Sequence, residues 1–263
     1  MQSLDKLKLK DKKYIIFDMD GTLIDSIGVW NVTDQKLIEK YAGITIDLDT
    51  IQLERDSFLH SNQDSDIYVA YCEYLIKKYG FSIKNAEQLL NIRWDISNEV
   101  LATEMDFKPD VVELISKLKG LGFTLALATM TTQVQLDVYS HKNIKMRKQM
   151  NIEEVFDFIT TKDDVIRKKP DPETYNLIMQ YYHANPDECL IFEDSYTGVL
   201  ASKNVGIEVV NVYDKYADLD RDKINAITDY SIENYRQFID YLECTYENPE
   251  GIKVRRYSNE RDR

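Results

Sequence analysis

Short apolar runs, each bounded by charged or turn-forming residues, recur along the chain. Five of them have the length of a strand, and they cover residues 14–17, 123–128, 156–160, 189–192 and 207–212. Such runs are typical of strands that are buried on both faces of a parallel sheet, although Asp157 and Glu208 interrupt two of them. Helical patterns lie between the runs, and this alternation predicts βαβ crossovers in an open, doubly wound parallel α/β sheet.

The stretch from residue 26 to residue 105 breaks this alternation, because its apolar residues recur only at helical spacing. Three helices fit the pattern clearly, and a short fourth helix fits residues 51–59. We therefore expect an α-helical cap domain at 26–105, inserted into an α/β core formed by 1–25 and 106–243, and a polar C-terminal tail at 244–263. The alternative is a helical edge of one large domain.

Acidic residues follow two of the predicted strands. Asp18 and Asp20 come just after the first run, and Glu193 and Asp194 come directly after the fourth. Ligands of open parallel sheets collect beyond the carboxyl ends of the strands, so these carboxylates should face one crevice. Neighbouring carboxylates repel one another, and a cation or a shared proton is needed to keep them together. An oxygen-rich pocket of this kind suits Mg²⁺.

Groups suited to binding an anion follow two other strands. The second run leads into Thr129 and Met130, within a hydroxyl-rich stretch that opens a predicted helix, and helix N-termini attract anions. The third run leads on to Lys168 and Lys169, just before a helix that a proline initiates. Carboxylates, a metal, N–H donors and a lysine match phosphoryl transfer through an aspartyl-phosphate intermediate.

Four motifs of the chain resemble those of the haloacid dehalogenase superfamily of phosphohydrolases, specifically its β-phosphoglucomutase-like branch with a helical cap after the first strand. The motifs are Asp18-Met19-Asp20-Gly21-Thr22, Ala128-Thr129, Lys169-Pro170-Asp171-Pro172 and Phe192-Glu193-Asp194-Ser195. Their order and spacing agree with the superfamily to about residue 240. The resemblance implies a Rossmann-like core and a Mg²⁺-dependent phosphatase that hydrolyses a small phosphomonoester through an aspartyl-phosphate intermediate.

The resemblance also implies a role for each matching residue. Asp18 is the expected nucleophile and a Mg²⁺ ligand. Asp20 is the expected general acid and then the general base, and its backbone carbonyl also binds the metal. Thr129 and the Met130 amide are expected to hold the phosphoryl oxygens. A helix N-cap is the alternative interpretation of Thr129.

Three further residues complete the implied site. Lys169 is expected to neutralise charge on the nucleophile and the phosphate, whereas its neighbour Lys168 is expected to be a solvated surface charge. Asp194 is expected to complete the metal site. Glu193 is either a further ligand or a residue that contacts the ligands without binding the metal itself. Asp25 and Ser26, which follow the first motif, are interpreted as hinge residues at the cap junction rather than as catalytic groups.

The start of the cap departs from the sugar-phosphate mutases of this branch, which usually have a histidine there to shuttle protons. The stretch Ser26-Ile27-Gly28-Val29-Trp30 has none, and Trp30 offers an apolar wall instead. Plain hydrolysis is therefore favoured, because water needs no second proton relay. The alternatives are a sugar phosphomutase and a non-catalytic phosphate-binding module. The second is disfavoured, because binding alone needs no acid–base residue such as Asp20.

A basic segment at 140–150 stands out in this acidic chain. It carries four basic residues, Lys142, Lys145, Arg147 and Lys148. A solvated end of an amphipathic helix is favoured over a recognition patch for an anionic substrate or partner.

Composition narrows the expected partners. The chain has 33 Lys and Arg against 46 Asp and Glu, so its formal net charge is −13 at pH 7. This charge argues against a non-specific binder of nucleic acid or of anionic membranes. No apolar run is long enough to span a bilayer, and the N-terminus lacks the pattern of a signal peptide. The three cysteines are widely spaced, which favours a reducing compartment, so we expect a cytoplasmic protein. The resemblance implies a small phosphorylated metabolite as the substrate, and we expect a monomer or weak dimer.

Overall fold

The computed structural model describes residues 2–26, 28–62 and 66–247. Its centre is a six-stranded parallel sheet with the strand order β3-β2-β1-β4-β5-β6. The strands are β1 (Tyr14–Phe17), β2 (Thr124–Ala128), β3 (Phe158–Thr160), β4 (Cys189–Glu193), β5 (Glu208–Val212) and β6 (Tyr230–Ile232). The first five match the predicted runs to within two residues, which confirms the doubly wound parallel α/β sheet. The short edge strand β6 was not predicted.

The central strand β1 serves both faces of the sheet. Its last residue, Phe17, stands between Leu127 of β2 and Phe192 of β4 in the register. Ile15 and Phe17 pack into the hydrophobic core on one face, whereas Ile16 packs into the core on the other face. Because side chains alternate between the two faces of a strand, a strand between two cores has no solvent-facing position, and these three side chains are fully buried.

Four helices lie between β1 and the rest of the sheet in the sequence. They are α1 (Val29–Ala42), α2 (Leu48–Ser61), α3 (Ile67–Tyr79) and α4 (Ala86–Thr103), so the second helix is longer than the one predicted at 51–59. These helices share a hydrophobic core of their own, which includes Leu37, Tyr71, Leu75 and Leu89. The helical pattern of this stretch is therefore confirmed. Val29 of α1 and Leu101 of α4 also belong to the core on one face of the sheet, so the helical block packs against the sheet at both ends of its chain.

The remaining helices surround the sheet. They are α5 (Val111–Gly120), α6 (Gln133–Asp137), α7 (Ile144–Gln149), α8 (Ile152–Val155), α9 (Glu173–Tyr182), α10 (Tyr196–Val205), α11 (Arg221–Ile227) and α12 (Tyr235–Leu242). A π-helical turn, Val138–Lys142, continues directly from α6. The buried residues of α5 and α12 belong to the core on one face of the sheet, and those of α9, α10 and α11 belong to the core on the other face. Both faces are covered, as a parallel sheet requires.

The basic segment at 140–150 forms the end of the π-helical turn and α7. Its four basic side chains, Lys142, Lys145, Arg147 and Lys148, are exposed, which agrees with a solvated helix end. Asn143, between them, is fully buried. Its side-chain amide donates hydrogen bonds to the carbonyls of Leu101 and Met105, at 2.8 and 3.0 Å. The segment is thus attached to the point where the chain leaves α4.

The first residues of the predicted tail still contact the core. A π-helical turn spans Glu243–Glu247, and Tyr246 packs edge-on against Phe123 with ring centroids 6.4 Å apart. The rest of the predicted tail, 248–263, lies outside the described residues. None of the helices in the described part of the chain is both long enough and apolar enough to cross a membrane.

Candidate active site

The predicted site residues lie at the carboxyl edge of the sheet. From β1 the chain proceeds outward to β2 and β3 on one side, and later to β4, β5 and β6 on the other. Strand order therefore changes direction at β1, and such a switch point leaves a crevice outside the strand ends. Asp18 follows β1, Thr129 follows β2, and Asp194 follows β4. Lys169 reaches this crevice from the loop before α9.

Lys169 joins two of the predicted carboxylates. Its ammonium group lies 2.6 Å from Asp18 Oδ1 and 2.8 Å from Glu193 Oε1, and it also donates to the carbonyl of Ala128 at 3.0 Å. The Lys169 side chain is only 3% exposed, whereas the neighbouring Lys168 is on the surface. The structure therefore brings Lys169, and not Lys168, into contact with Asp18.

Asp194 occupies a close-fitting position beside the first motif. Thr22 donates its hydroxyl to Asp194 Oδ1 at 2.7 Å. Asn211, from β5, donates its side-chain amide to the carbonyls of Glu193 and Asp194 at 3.0 and 3.3 Å. Gly21 has a φ of +84°, and a Cβ there would lie 2.4 Å from Asp194 Oδ2. Only glycine combines this backbone conformation with room for the carboxylate.

The buried charges strongly affect one another. Burial raises the pKa of Asp18 to about 7; Lys169 opposes the rise and Glu193 adds to it. Burial also raises the pKa of Asp194 well above its ordinary range, with Glu193 and Asp18 adding to the rise. Burial lowers the pKa of Lys169, but the charges of Asp18 and Glu193 outweigh this effect and keep the lysine protonated. The crevice therefore holds more negative charge than one lysine offsets.

These residues fit a divalent metal ion. One carboxylate oxygen from each of Asp18, Glu193 and Asp194 lies within 4.8 Å of the other two, and all three residues are buried. When all are ionised, three carboxylates against Lys169 leave an excess of two negative charges. A dication offsets this excess, and carboxylate oxygens are the ligands that Mg²⁺ takes. Glu193 is engaged elsewhere as well, because its Oε2 accepts hydrogen bonds from the amide and hydroxyl of Ser195.

The side chain of Asp20 points to a different set of partners. Ser26 donates its hydroxyl to Oδ1 at 2.6 Å, and Tyr139 donates to the same oxygen at 3.0 Å. Thr131 donates its hydroxyl to Oδ2. Ser26 was interpreted only as a hinge residue, and the structure adds a direct contact with the predicted acid–base residue. Burial, together with the neighbouring Asp20 carboxylate, raises the pKa of Tyr139 well above its ordinary value, so the phenol stays a hydrogen-bond donor.

The loop after β2 lies beside these groups. Thr129 is 1% exposed, and its hydroxyl accepts a hydrogen bond from the amide of Thr131 at 3.0 Å. The N-cap of α6 is Thr132, whose hydroxyl accepts a bond from the Gln135 amide at 3.4 Å. Thr129 therefore does not cap this helix. Met130 lies between Thr129 and Thr131 and is half-buried.

A buried ion pair backs the apolar wall predicted at Trp30. The Trp30 ring packs edge-on against Trp94, with centroids 5.2 Å apart, and the Arg93 guanidinium lies 4.4 Å from its centre. Arg93 donates to both carboxylate oxygens of Asp34, at 2.6 and 3.2 Å. The hydroxyl of Tyr71 also donates to Asp34, at 3.2 Å. This network was not predicted, because charged residues at helical spacing usually indicate a solvated face.

Three further residues of the site were missed at the level of sequence. Thr22 belongs to the first motif and Thr131 to the hydroxyl-rich stretch, so both carried a signal that was not used. Tyr139 carried none, because 119 residues separate it from Asp20. A tyrosine at a helical core position looks like an ordinary packing residue until its hydroxyl is placed.

Comparison with known proteins agrees with this geometry. The sequence pattern of the haloacid dehalogenase-like hydrolases matches residues 15–212. A phosphorylated carbohydrates phosphatase from Thermotoga maritima is 28% identical over 195 residues, which cover 74% of this chain and 82% of the relative. Protein CbbY of Rhodobacter capsulatus is 28% identical over 205 residues, which cover 78% of this chain and 86% of the relative.

A solved structure supports the same relationship. A putative β-phosphoglucomutase from Thermotoga maritima has a TM-score of 0.69 and 25% sequence identity, and the match covers 88% of this chain and 99% of the other. The sequence match at 15–212 extends from β1 to the end of β5 and includes the ends of β1, β2 and β4, which carry the candidate site. This chain therefore belongs to the haloacid dehalogenase-like hydrolase family.

Proposed function

We propose that this chain is a Mg²⁺-dependent phosphatase that hydrolyses a small phosphomonoester through a phosphate ester of Asp18. One observation carries the proposal: a buried carboxylate at the end of the central strand contacts Lys169 and shares a crevice with Asp194. Asp20, two residues further on, faces away from this cluster toward hydroxyl donors. One carboxylate is therefore available as a nucleophile and the other for acid–base chemistry.

In the first half-reaction, a carboxylate oxygen of Asp18 attacks phosphorus, and the bond from phosphorus to the ester oxygen breaks. Asp20 donates its proton to that oxygen, so the product leaves as a neutral alcohol. Lys169 lies within 2.6 Å of Asp18 and offsets charge on the nucleophile. Thr129 and the Met130 amide would hold the phosphoryl oxygens.

In the second half-reaction, Asp20 takes a proton from a water molecule, whose oxygen then attacks the phosphorus of the Asp18 ester. The bond between Asp18 and phosphorus breaks, which releases inorganic phosphate and restores the Asp18 carboxylate. Asp20 ends the cycle protonated, as it began. A single residue thus serves as acid and then as base, as microscopic reversibility allows.

The metal would be held by Asp18, by the backbone carbonyl of Asp20, and by Asp194 with Glu193 beside it. When bound, Mg²⁺ stabilises the negative charge of the phosphoryl group during transfer. The excess of buried carboxylate over lysine charge supports this role.

We further propose that the helices between residues 26 and 105 act as a cap over the crevice, with the core formed by 1–25 and 106–243. A cap that closes would exclude water and contact the part of the substrate that does not react. The relative named as a phosphatase of phosphorylated carbohydrates supports a sugar phosphate as the substrate class.

A sugar phosphomutase remains the second candidate, because one similar structure is described as a putative β-phosphoglucomutase. The chain between Ser26 and Trp30 contains no histidine, which favours hydrolysis.

The test uses purified protein with p-nitrophenyl phosphate and a panel of sugar phosphates, with Mg²⁺ or with EDTA. We expect release of phosphate that depends on Mg²⁺ and falls by ~10³-fold or more in Asp18→Asn. Asp222→Asn, which changes an exposed aspartate on α11, serves as the matched control and should retain full activity. Activity that survives EDTA or Asp18→Asn would refute the mechanism. An isomeric sugar phosphate formed without free phosphate would show a mutase instead.

A further inference from the structure

Three hydroxyl groups hold the carboxylate of Asp20, and one of them comes from an unexpected part of the chain. Ser26 and Tyr139 donate to Oδ1 at 2.6 and 3.0 Å, and Thr131 donates to Oδ2. Ser26 and Thr131 lie in or next to the motifs of the site. Tyr139 lies in the π-helical turn Val138–Lys142, which follows α6 and is separated by that helix from the loop after β2.

The three bonds distinguish the two oxygens of Asp20. Each carboxylate oxygen offers about two acceptor positions. Ser26 and Tyr139 together fill those of Oδ1, whereas Thr131 fills one of the two on Oδ2. A proton carried by Asp20 therefore has room on Oδ2 and none on Oδ1. Without the Tyr139 hydroxyl, Oδ1 regains an open position, and the carboxylate loses one of the contacts that fix its rotation.

Tyr139 is itself rigidly placed. Its side chain is 2% exposed and belongs to the same hydrophobic core as Leu136 and Met146. The buried Asn143 closes the turn that carries Tyr139, because the backbone amide of Asn143 donates to the carbonyl of Val138 at 2.9 Å. A side chain packed on its ring and anchored through its backbone can hold a hydroxyl in one position.

The same turn is tied to the helices that we propose as the cap. Asn143 donates to the carbonyls of Leu101 and Met105, where the chain leaves α4. Ser26 lies at the other connection, just before α1. Two of the three donors to Asp20 are therefore attached to the two connections between the helical block and the sheet.

We propose that Tyr139 is a positioning residue for Asp20: its hydroxyl holds the carboxylate so that Oδ2 faces the leaving group and delivers the proton. The inference rests on the proposed function, because it requires Asp20 to act as the general acid. Tyr139 does not touch the reacting atoms. Its effect should appear only in steps that need a well-placed proton donor.

Two substrates whose leaving groups differ in basicity distinguish this positioning role from a general loss of active-site structure. p-Nitrophenol leaves readily without protonation, whereas a sugar alkoxide needs the acid. We would compare kcat/KM for p-nitrophenyl phosphate and for a hexose phosphate, because this parameter covers the steps up to cleavage of the ester bond. Tyr139→Phe should lower the value for the hexose phosphate by ~10-fold and change that for p-nitrophenyl phosphate by less than ~2-fold.

The matched control is Tyr230→Phe. Tyr230 is also buried, and its hydroxyl also donates to a carboxylate, that of Glu208 at 3.1 Å, but it lies on β6 outside the site. This variant should change neither kcat/KM value by more than ~2-fold. In an Asp20→Asn background only the first turnover is expected, and there Tyr139→Phe should not slow the release of p-nitrophenol further, because the residue that it positions can no longer donate a proton.

Any result other than those expected outcomes overturns the proposal. Equal losses for both substrates, or no loss, would show that Tyr139 does not position the acid. A further loss in the Asp20→Asn background would show that it acts through another group. If wild-type protein hydrolyses neither substrate, the proposed function itself fails, and the role of Tyr139 fails with it. If Tyr139→Phe does not fold, Tyr139→Met also lacks the donor, and the same outcomes decide.

Discussion

Removing the charge of Lys169 tests whether the crevice is built around an excess of carboxylate. In Lys169→Met the side chain keeps its approximate length and loses the ammonium that contacts Asp18, Glu193 and the carbonyl of Ala128 at 2.6, 2.8 and 3.0 Å. Breaking a buried ion pair by removing one partner costs roughly 3–5 kcal/mol. For a chain of this size, each kcal/mol lowers the melting temperature by about 2–4 °C.

The assay is thermal unfolding at pH 8 in EDTA, and then in Mg²⁺. We expect the metal-free variant to melt about 6–20 °C below the wild type. Saturating Mg²⁺ should raise the melting temperature of the variant above its own value in EDTA, because a ligand at 100 times its Kd adds about 2.7 kcal/mol to the free energy of unfolding. Lys168→Met is the matched control, since its exposed side chain should contribute less than about 0.5 kcal/mol. Equal melting temperatures for the two variants in EDTA would refute the reasoning.

Three further predictions concern the pKa of Asp18, the buried ion pair of Asp34 with Arg93, and the backbone at Gly21. The pKa of Asp18, raised to about 7, implies that this residue holds its proton more tightly in the metal-free fold than in the unfolded chain. The contribution of Asp18 to the free energy of unfolding, on the order of 4 kcal/mol at pH 4, should therefore be lost as the pH rises to 8 in urea titrations, and Mg²⁺ should flatten this slope. Asp34→Ala, which leaves Arg93 buried without its partner, should cost about 3–5 kcal/mol in the same assay. The exposed control Glu73→Ala should cost less than about 0.5 kcal/mol. Gly21→Ala should raise the Mg²⁺ concentration needed for half-maximal activity, whereas Gly43→Ala, with a similar φ of +69° but no atom within 4 Å, should not.

The parallel sheet could be predicted because its strands lie between two cores. A residue such as Ile16 has no solvent-facing alternative, so the apolar run is continuous and its end is visible in the sequence. The carboxylates that follow β1 and β4 could then be assigned to one crevice. The edge strand β6 has only three residues, and a run this short cannot be distinguished from a loop by its sequence pattern.

The contacts that join distant parts of the chain could not be predicted in the same way. Sequence spacing places Asp20 at the crevice, but it does not show which hydroxyls reach it. Tyr139 donates to Asp20 from a π-helical turn whose course depends on how Asn143 attaches to the end of α4. The ion pair of Asp34 with Arg93 was missed for the same reason, because two charges on separate helices reveal their pairing only when the helices pack.

The chemistry of Asp18 is the central claim, and trapping its phosphate ester tests it most directly. The Asp20→Asn variant should release p-nitrophenol without an acid and then stop, because it cannot activate water. We expect a burst of about one equivalent, and borohydride reduction of the acid-quenched protein should convert residue 18 to homoserine, as located by peptide mass spectrometry. Steady turnover without a burst, or a phosphoryl group on any other residue, would contradict the account.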